Sequence, residues 1–333
     1  MKKQSHRIAI IGAGTIGTAL GNILAESGNE DILLHSIEMQ TVENINKTHI
    51  NSKYFPTLHL NQHLHATTDD RQLEHCEIIF LAIPSVIMID YLKKINLHLS
   101  QESLFVNIAK GFGFRNKTIL ECLKEEFPNP VCTLKGPSFA HEIINRLPTG
   151  FTLGYENPRD ISPITDIFRG TNIHLDFSDD ILGVEILSIL KNIYAIVLGI
   201  VDAQFNSPNL RFLILTKAFR EMKNVLLWFG GREATLFNYC GYGDFTLTAL
   251  NDLSRNRTLG LLIGKGFFTE HVSHELVLEG KTAANIFYQE ISKTVSVEDH
   301  FPIIAELYNV LHDKYDISLF VKNILNFPEM QPG

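Results

Sequence analysis

The sequence predicts an α/β protein, with a Rossmann-like doubly wound sheet in the N-terminal domain plus an all-α C-terminal domain, and three observations carry that expectation. An apolar run at residues 8–11 leads through Gly12-Ala13-Gly14-Thr15-Ile16-Gly17 into a helical pattern. Short β-branched runs then alternate with helical stretches, the order that builds a parallel sheet covered on both faces. Beyond about Gly183 the strand signals fade and helical patterns take over. The expected domains are therefore residues 1–182 and residues 183–333, with no Pro/Ser-rich linker between them and the functional groups in a cleft where they meet.

In the glycine turn that follows the first strand, Gly12 closes the bend, Gly14 lets the backbone approach a pyrophosphate, and Gly17 allows close helix–strand packing. Phosphates would rest on the helix N-terminus, where free N–H groups and the dipole favour anions. The turn thus points to a dinucleotide cofactor. Further strands are expected at 32–34, 78–82, 104–108 and 131–134, with 149–153 and 173–175 as later additions that could run antiparallel. After the second strand an NAD-specific site usually places an acid for the ribose. Here stand His35 and Ser36, with Glu38 slightly later, so NADP(H) is permitted as well as NAD(H). Later strands end in Ile83-Pro84-Ser85, Ala109-Lys110-Gly111 and Lys135-Gly136-Pro137-Ser138. These are carboxyl ends of strands, the edge at which open α/β sheets bind ligands.

Helical stretches are expected at 183–201, 209–230, 233–240, 258–264, 272–278, 282–294 and 302–311, with a short tail from 317. The first carries Lys191 and Asn192 inside an otherwise apolar run. An ammonium removed from water is costly unless it is paired or neutralised, so Lys191 suggests proton transfer. The plainer reading is a snorkelling lysine with its head at a rim. The apolar runs on either side of Lys191 fall short of the ~20 residues of a membrane span. Asp244 is expected in a glycine-bounded turn, where it could orient an ammonium or bind a substrate hydroxyl. Ser254-Arg255-Asn256 reads as an N-cap serine opening a helix, whose dipole and guanidinium suit a phosphate. Arg257 is expected to face solvent or a carboxylate.

A formal net charge of −8 over 333 residues disfavours nucleic acid as a partner. Four cysteines show neither metal-ligand spacing nor a disulfide framework, which makes the cytoplasm the default compartment. His59, His63, His65 and His75 lie in a polar, loop-rich stretch and read as surface residues rather than a metal site. No secretory cleavage pattern and no nucleophile elbow are visible. Gly260-Leu261-Leu262-Ile263-Gly264 reads as helix packing rather than a membrane dimer motif. The expectation is a small-molecule partner, no nucleic acid, no membrane span and no metal, with a homodimer compatible with the apolar helical half.

Taken together, five blocks resemble the NAD(P)-dependent glycerol-3-phosphate dehydrogenases of the bacterial biosynthetic type. They are Gly12 to Leu20; Ala109-Lys110-Gly111; Gly136-Pro137-Ser138-Phe139-Ala140 with Leu147-Pro148-Thr149; Leu190-Lys191-Asn192; and Gly241 to Thr248 with Ser254-Arg255-Asn256-Arg257. The resemblance implies NAD(P)H-dependent reduction of dihydroxyacetone phosphate to sn-glycerol 3-phosphate for phospholipid synthesis. It implies that Lys191 donates and accepts the proton, that Lys110 touches substrate and nicotinamide, and that Asp244 lies beside the reacting end. It further implies substrate contacts from Gly136, Ser138 and Asn192, and a phosphate grip from Ser254, Arg255 and Asn256. Cofactor contacts would come from Gly12, Gly14, Thr15, Ile16, Gly17, Ser36, Lys110, Ala140, Arg255, Val277 and Glu279.

The chain departs from that family at several points. Ile16 stands where an aromatic is usual, Ala109 where threonine is frequent, and Gln204-Phe205-Asn206-Ser207-Pro208 where a small, glycine-rich loop is expected. Two other readings remain: a 3-hydroxyacid-type dehydrogenase, which would also use a helical lysine with asparagine, and a non-catalytic nucleotide sensor.

Overall fold

A computed structural model of the chain describes residues 6–28, 32–267, 279–312 and 315–327. The chain divides into two compact units, Met1–Glu185 with Asn238–Cys240, and Ile186–Phe237 with Gly241–Gly333.

The first unit is built on eight strands: β1 (Ile8–Ile11), β2 (Ile32–His35), β3 (Leu64–Thr67), β4 (Ile78–Leu81), β5 (Leu104–Asn107), β6 (Val131–Lys135), β7 (Thr149–Gly154) and β8 (Ile173–Ser178). They lie in the order β3-β2-β1-β4-β5-β6-β7-β8. The first six run parallel, with the order reversing between β1 and β4, as in the doubly wound dinucleotide-binding sheet. β7 is antiparallel to β6 and β8 parallel to β7, so both late strands run against the rest.

Strand β1 shows why the sheet is wound on both faces. Ile8 and Ile10 join one core cluster, and Ala9 and Ile11 join the other. Successive side chains of a strand point to opposite faces, so an uninterrupted apolar run requires a cover on each. Helices α1 (Thr15–Glu26), α5 (Ala140–Ile144) and α6 (Ile161–Phe168) contribute to the first cluster. Helices α3 (Ser85–Ile95) and α4 (Ile119–Glu126) contribute to the second. One further helix, α2 (Met39–Thr48), buries Val42 and Ile45 in the first cluster.

Strand β3 lies in the stretch expected to be loop. His59, His63, His65 and His75 are exposed, as expected, yet Leu64 and Ala66 alternate with His65 and pair in register with β2. A four-residue edge strand with one exposed side gives too short an alternation to stand out among histidines and asparagines.

Helix α7 (Ile181–Gln204) carries the chain from the first unit into the second. By length and composition it qualifies as a membrane span, which corrects the run-length argument: Lys191 and Asn192 are too few to offset the apolar residues around them. Its most apolar window is wholly buried within the protein, and that burial accounts for its composition.

In the second unit, α8 (Pro208–Trp228) is opened by Ser207, whose side chain accepts from the Leu210 amide. Residues 233–240 do not form the single helix expected. A 3₁₀ segment at Glu233–Phe237 is followed by a π-helical turn at Tyr239–Gly243, which leads into α9 (Asp244–Leu250). Helix α10 (Arg255–Gly264) starts where the Ser254 cap predicts, three residues ahead of the helical pattern expected from 258. It meets α7 at backbone distance: a methyl group on Gly260 would stand 2.0 Å from the Ile196 carbonyl oxygen, and one on Gly199 2.3 Å from that of Arg257. Gly260 and Gly264 therefore serve helix packing, as read from the sequence. Among the described residues the unit also contains helices Glu279–Ser292, Val297–His300, Pro302–His312 and Phe320–Asn326. The expected helix at 272–278, with Val277, lies outside the described residues.

Candidate active site

In the first unit the glycine turn has the division of labour that its spacing implies. Gly12 has φ +115°, and a Cβ there would come within 2.6 Å of the Ala82 carbonyl oxygen. A Cβ on Gly17 would lie 2.0 Å from the Gly12 carbonyl oxygen, so the helix packs on the turn itself. Gly14 differs: nothing stands within 4 Å of its Cβ position. The first and third glycines are fixed by protein packing, whereas the second faces open space. Gly14 is also the N-cap of α1, and no side chain caps that helix. Thr15 and Ile16 form its first turn, with Thr15 exposed. Backbone donors and the positive end of the dipole thus face open space, an arrangement that favours an anion.

A cavity of about 160 Å³ adjoins this turn and is lined also by Ser36, Glu38, Tyr54 and Tyr91. Ser36 is buried and its hydroxyl accepts from the Glu38 amide at 3.1 Å. The Glu38 carboxylate takes bonds from Lys53 at 2.6 Å and Thr41 at 2.9 Å, and the Lys53 bond holds its pKa below the usual carboxylate range. His35, on the cavity wall, is buried against Asp70 at 2.8 Å, and burial lowers its pKa, favouring the neutral ring. Tyr91, 3.3 Å from the other ring nitrogen, is pushed up to about 12 by burial.

At the carboxyl ends of β5 and β6, Lys110 is half-buried. Its ammonium donates to the Gly136 carbonyl at 3.0 Å and lies 3.5 Å from the Ser138 hydroxyl. Gly136 cannot carry a side chain, because a Cβ would stand 2.3 Å from the Gly150 carbonyl oxygen. Ala140 opens α5. The structure therefore brings Lys110, Gly136 and Ser138 together.

In the second unit Lys191 is only 5% exposed. Its ammonium meets Asp244 Oδ1 at 2.5 Å and the Thr248 hydroxyl at 3.1 Å. Asp244 is itself 1% exposed, and it is the first residue of α9 rather than part of an open turn. The helical setting gives a role to Thr248, the last residue of the Gly241–Thr248 block. At i and i+4 of one helix, Asp244 and Thr248 share a face, a relation that a loop around Asp244 would not have.

Asn192, also buried, donates to Glu279 at 3.4 Å, while Asn256 accepts from the Gly280 amide at 3.2 Å. Ser254 is the N-cap of α10, its hydroxyl accepting from the Arg257 amide at 3.3 Å. Arg255 is exposed on the first turn. Arg257 is buried and holds Asp202 at 2.6 Å, Asp252 at 3.0 Å and the Ala249 carbonyl at 3.1 Å. Of the alternatives read for it, carboxylates are its partners. Among the described residues no group of three or more His, Cys, Asp or Glu could hold a metal.

A doubly wound sheet with an open second glycine, and a helical unit built around a carboxylate-paired lysine, define a dinucleotide-dependent oxidoreductase. Family models described as the NAD-dependent glycerol-3-phosphate dehydrogenase N-terminus and C-terminus match residues 7–160 and 180–322. The chain belongs to this family. Among curated relatives it is 33% identical, over 96% of its length and 97% of theirs, to a glycerol-3-phosphate dehydrogenase [NAD(P)+] of Clostridium botulinum (strain Eklund 17B / Type B). It is also 33% identical to one of Methanothermobacter thermautotrophicus, over 95% and 96% of the two chains. A solved glycerol-3-phosphate dehydrogenase from Coxiella burnetii superposes with a TM-score of 0.87 at 28% identity, covering 97% of this chain and 99% of that one.

Proposed function

We propose that the chain reduces dihydroxyacetone phosphate to sn-glycerol 3-phosphate, reversibly, with NADH or NADPH, supplying the backbone of glycerophospholipids. The observation that carries the reading is the Lys191–Asp244 pair, a buried ammonium with a compensating carboxylate in a chain of this family. A reduced nicotinamide bound in the first unit would supply the hydride for the C2 ketone. Gly12, Gly14, Thr15, Ile16 and Gly17 would hold the pyrophosphate end, Ser36 would serve the ribose, and Lys110, Ala140, Arg255 and Glu279 would add contacts, with Val277, outside the described residues, the remaining family position.

As the ketone becomes an alkoxide, its oxygen needs a positive charge nearby and then a proton. Lys191 provides both, transferring one ammonium proton to the C2 oxygen. Asp244 and Thr248 hold the amine in place, so little reorganisation accompanies the transfer. Lys110, Gly136, Ser138 and Asn192 orient the carbon chain. The phosphate is received by Ser254, Arg255 and Asn256 at the start of α10, where main-chain donors, dipole and guanidinium coincide.

The test is spectrophotometric: oxidation of NADH and of NADPH with dihydroxyacetone phosphate, wild type against Lys191→Met. Loss of the proton donor should reduce turnover by about 10²–10⁴-fold. Near-normal turnover in the variant would move the proton to another group.

A further inference from the structure

A second lysine, buried more deeply than Lys191, lies behind Lys110. Lys135 and Glu185 are both 0% exposed, with the ammonium 3.0 Å from Glu185 Oε1. Burying an ion pair is weak as a source of stability, since apolar residues of similar volume often do as well or better. The bonds made by this pair therefore matter more than its charge. Lys135 donates to the Asn107 carbonyl at 3.2 Å and to the Ala109 carbonyl. Glu185 Oε1 accepts from Asn107 Nδ2 at 2.9 Å and from the Thr133 hydroxyl. The Asn107 side-chain oxygen in turn accepts from the Ala109 amide at 3.0 Å.

Four of these bonds end on Asn107 or Ala109, in the three residues before Lys110, and the Lys135–Glu185 pair and the Thr133 hydroxyl tie their far ends together. Past Asn107 strand β5 has ended, and main-chain groups there need partners other than the ladder. The arrangement is reciprocal. Lys135 holds the carbonyl just before Lys110, and Lys110 holds the carbonyl of Gly136, just after Lys135.

We propose that Lys135 and Glu185 form a positioning pair that fixes the backbone carrying Lys110, and thereby sets where the Lys110 ammonium meets the substrate; this rests on the role given to Lys110 above. Lys135 does not touch substrate. It restrains the peptide on which Lys110 is mounted, and Glu185 compensates its charge and restrains Asn107. Small displacements of a positioned group are costly in rate even when the fold is intact.

The experiment compares wild type, Lys135→Met, Glu185→Gln and the double variant in three readouts: thermal unfolding, NADH binding by fluorescence titration, and steady-state kinetics with dihydroxyacetone phosphate. Lys135→Met alone should lose stability, because it strands a buried carboxylate. The double variant removes both charges and should regain most of the melting temperature. Its kcat/KM for dihydroxyacetone phosphate should nevertheless stay on the order of 10–100-fold below wild type, with NADH binding retained. A double variant with both wild-type stability and wild-type kcat/KM would overturn the proposal. Should the double variant not fold, Lys135→Met assayed well below its own melting temperature decides in the same way, since it removes the bonds to the Asn107 and Ala109 carbonyls, and wild-type kcat/KM there would overturn the proposal. Wild-type protein inactive on dihydroxyacetone phosphate would instead reject the assigned reaction, a result distinct from either of these.

Discussion

Thr248 follows Asp244 by one helical turn, and both side chains reach the same Lys191 ammonium while the Thr248 hydroxyl also donates to the Asp244 carbonyl at 2.7 Å. The amine is thus held by two groups of one helix face, and its charge is balanced by one of them. Removing only one partner of a buried pair leaves an uncompensated charge, at a cost of about 3–5 kcal/mol. Asp244→Asn should accordingly lose both stability and turnover. Lys191→Met combined with Asp244→Asn should recover stability while remaining inactive. Denaturant unfolding beside the activity assay checks this, and an Asp244→Asn protein as stable as wild type would contradict it.

The two arginines at the start of α10 should separate cleanly. Arg255 is exposed on the first turn, whereas Arg257 is committed to Asp202, Asp252 and the Ala249 carbonyl. A hydrogen bond to a charged group is worth about 1.5–3 kcal/mol, or about 10–100-fold in affinity. At saturating NADH, Arg255→Ala should raise KM for dihydroxyacetone phosphate by that factor and leave the use of unphosphorylated dihydroxyacetone unchanged. Arg257→Ala should lower the melting temperature instead. Equal loss on both ketones for Arg255→Ala would remove it from the phosphate site.

Much of this architecture is legible in the residues. The central strands of the sheet stand out, unlike the edge strand β3, because parallel strands buried on both faces are continuous apolar runs, and Ser254 announces a helix by its capping chemistry. What was hidden depends on tertiary context. The sequence around Asp244 reads as a glycine-bounded turn because the π-helical turn at Tyr239–Gly243 places glycines where helices normally avoid them. With Asp244 assigned to a loop, its helical relation to Thr248 could not be seen. Lys135, likewise, ends an apolar strand like any residue at a sheet edge. Only the fold reveals that it turns inward to Glu185, fifty residues further along the chain.

The glycines offer a test of which positions belong to the protein and which to the cofactor. Alanine at Gly14 meets no atom within 4 Å and sits at φ −74°, a backbone conformation open to any residue. Gly14→Ala should therefore keep its melting temperature but bind NADH and NADPH more weakly, because the added methyl occupies the approach to the pyrophosphate. Gly260→Ala should do the reverse, forcing α10 away from the Ile196 carbonyl. Calorimetry and fluorescence titration distinguish the two, and unchanged nucleotide affinity in Gly14→Ala would place the pyrophosphate elsewhere.

Glu221 should make stability fall as pH rises. Its carboxyl accepts from the amides of Ile303 and Ile304 at the start of helix Pro302–His312, and from the Tyr194 hydroxyl. Burial nonetheless dominates and raises its pKa from 4.5 to about 8. Between those values the folded protein keeps a proton that the unfolded chain has released. Folding then binds protons, and the stability contributed by this group, fully present below the unfolded value, is lost as pH climbs toward about 8. Glu221→Gln keeps an acceptor for the two amides and has nothing to titrate. Its stability should be flatter across the same window, so that its advantage over wild type grows with pH. Denaturant unfolding at several pH values checks this: parallel profiles for the two proteins would mean that Glu221 is ionised in the folded state throughout.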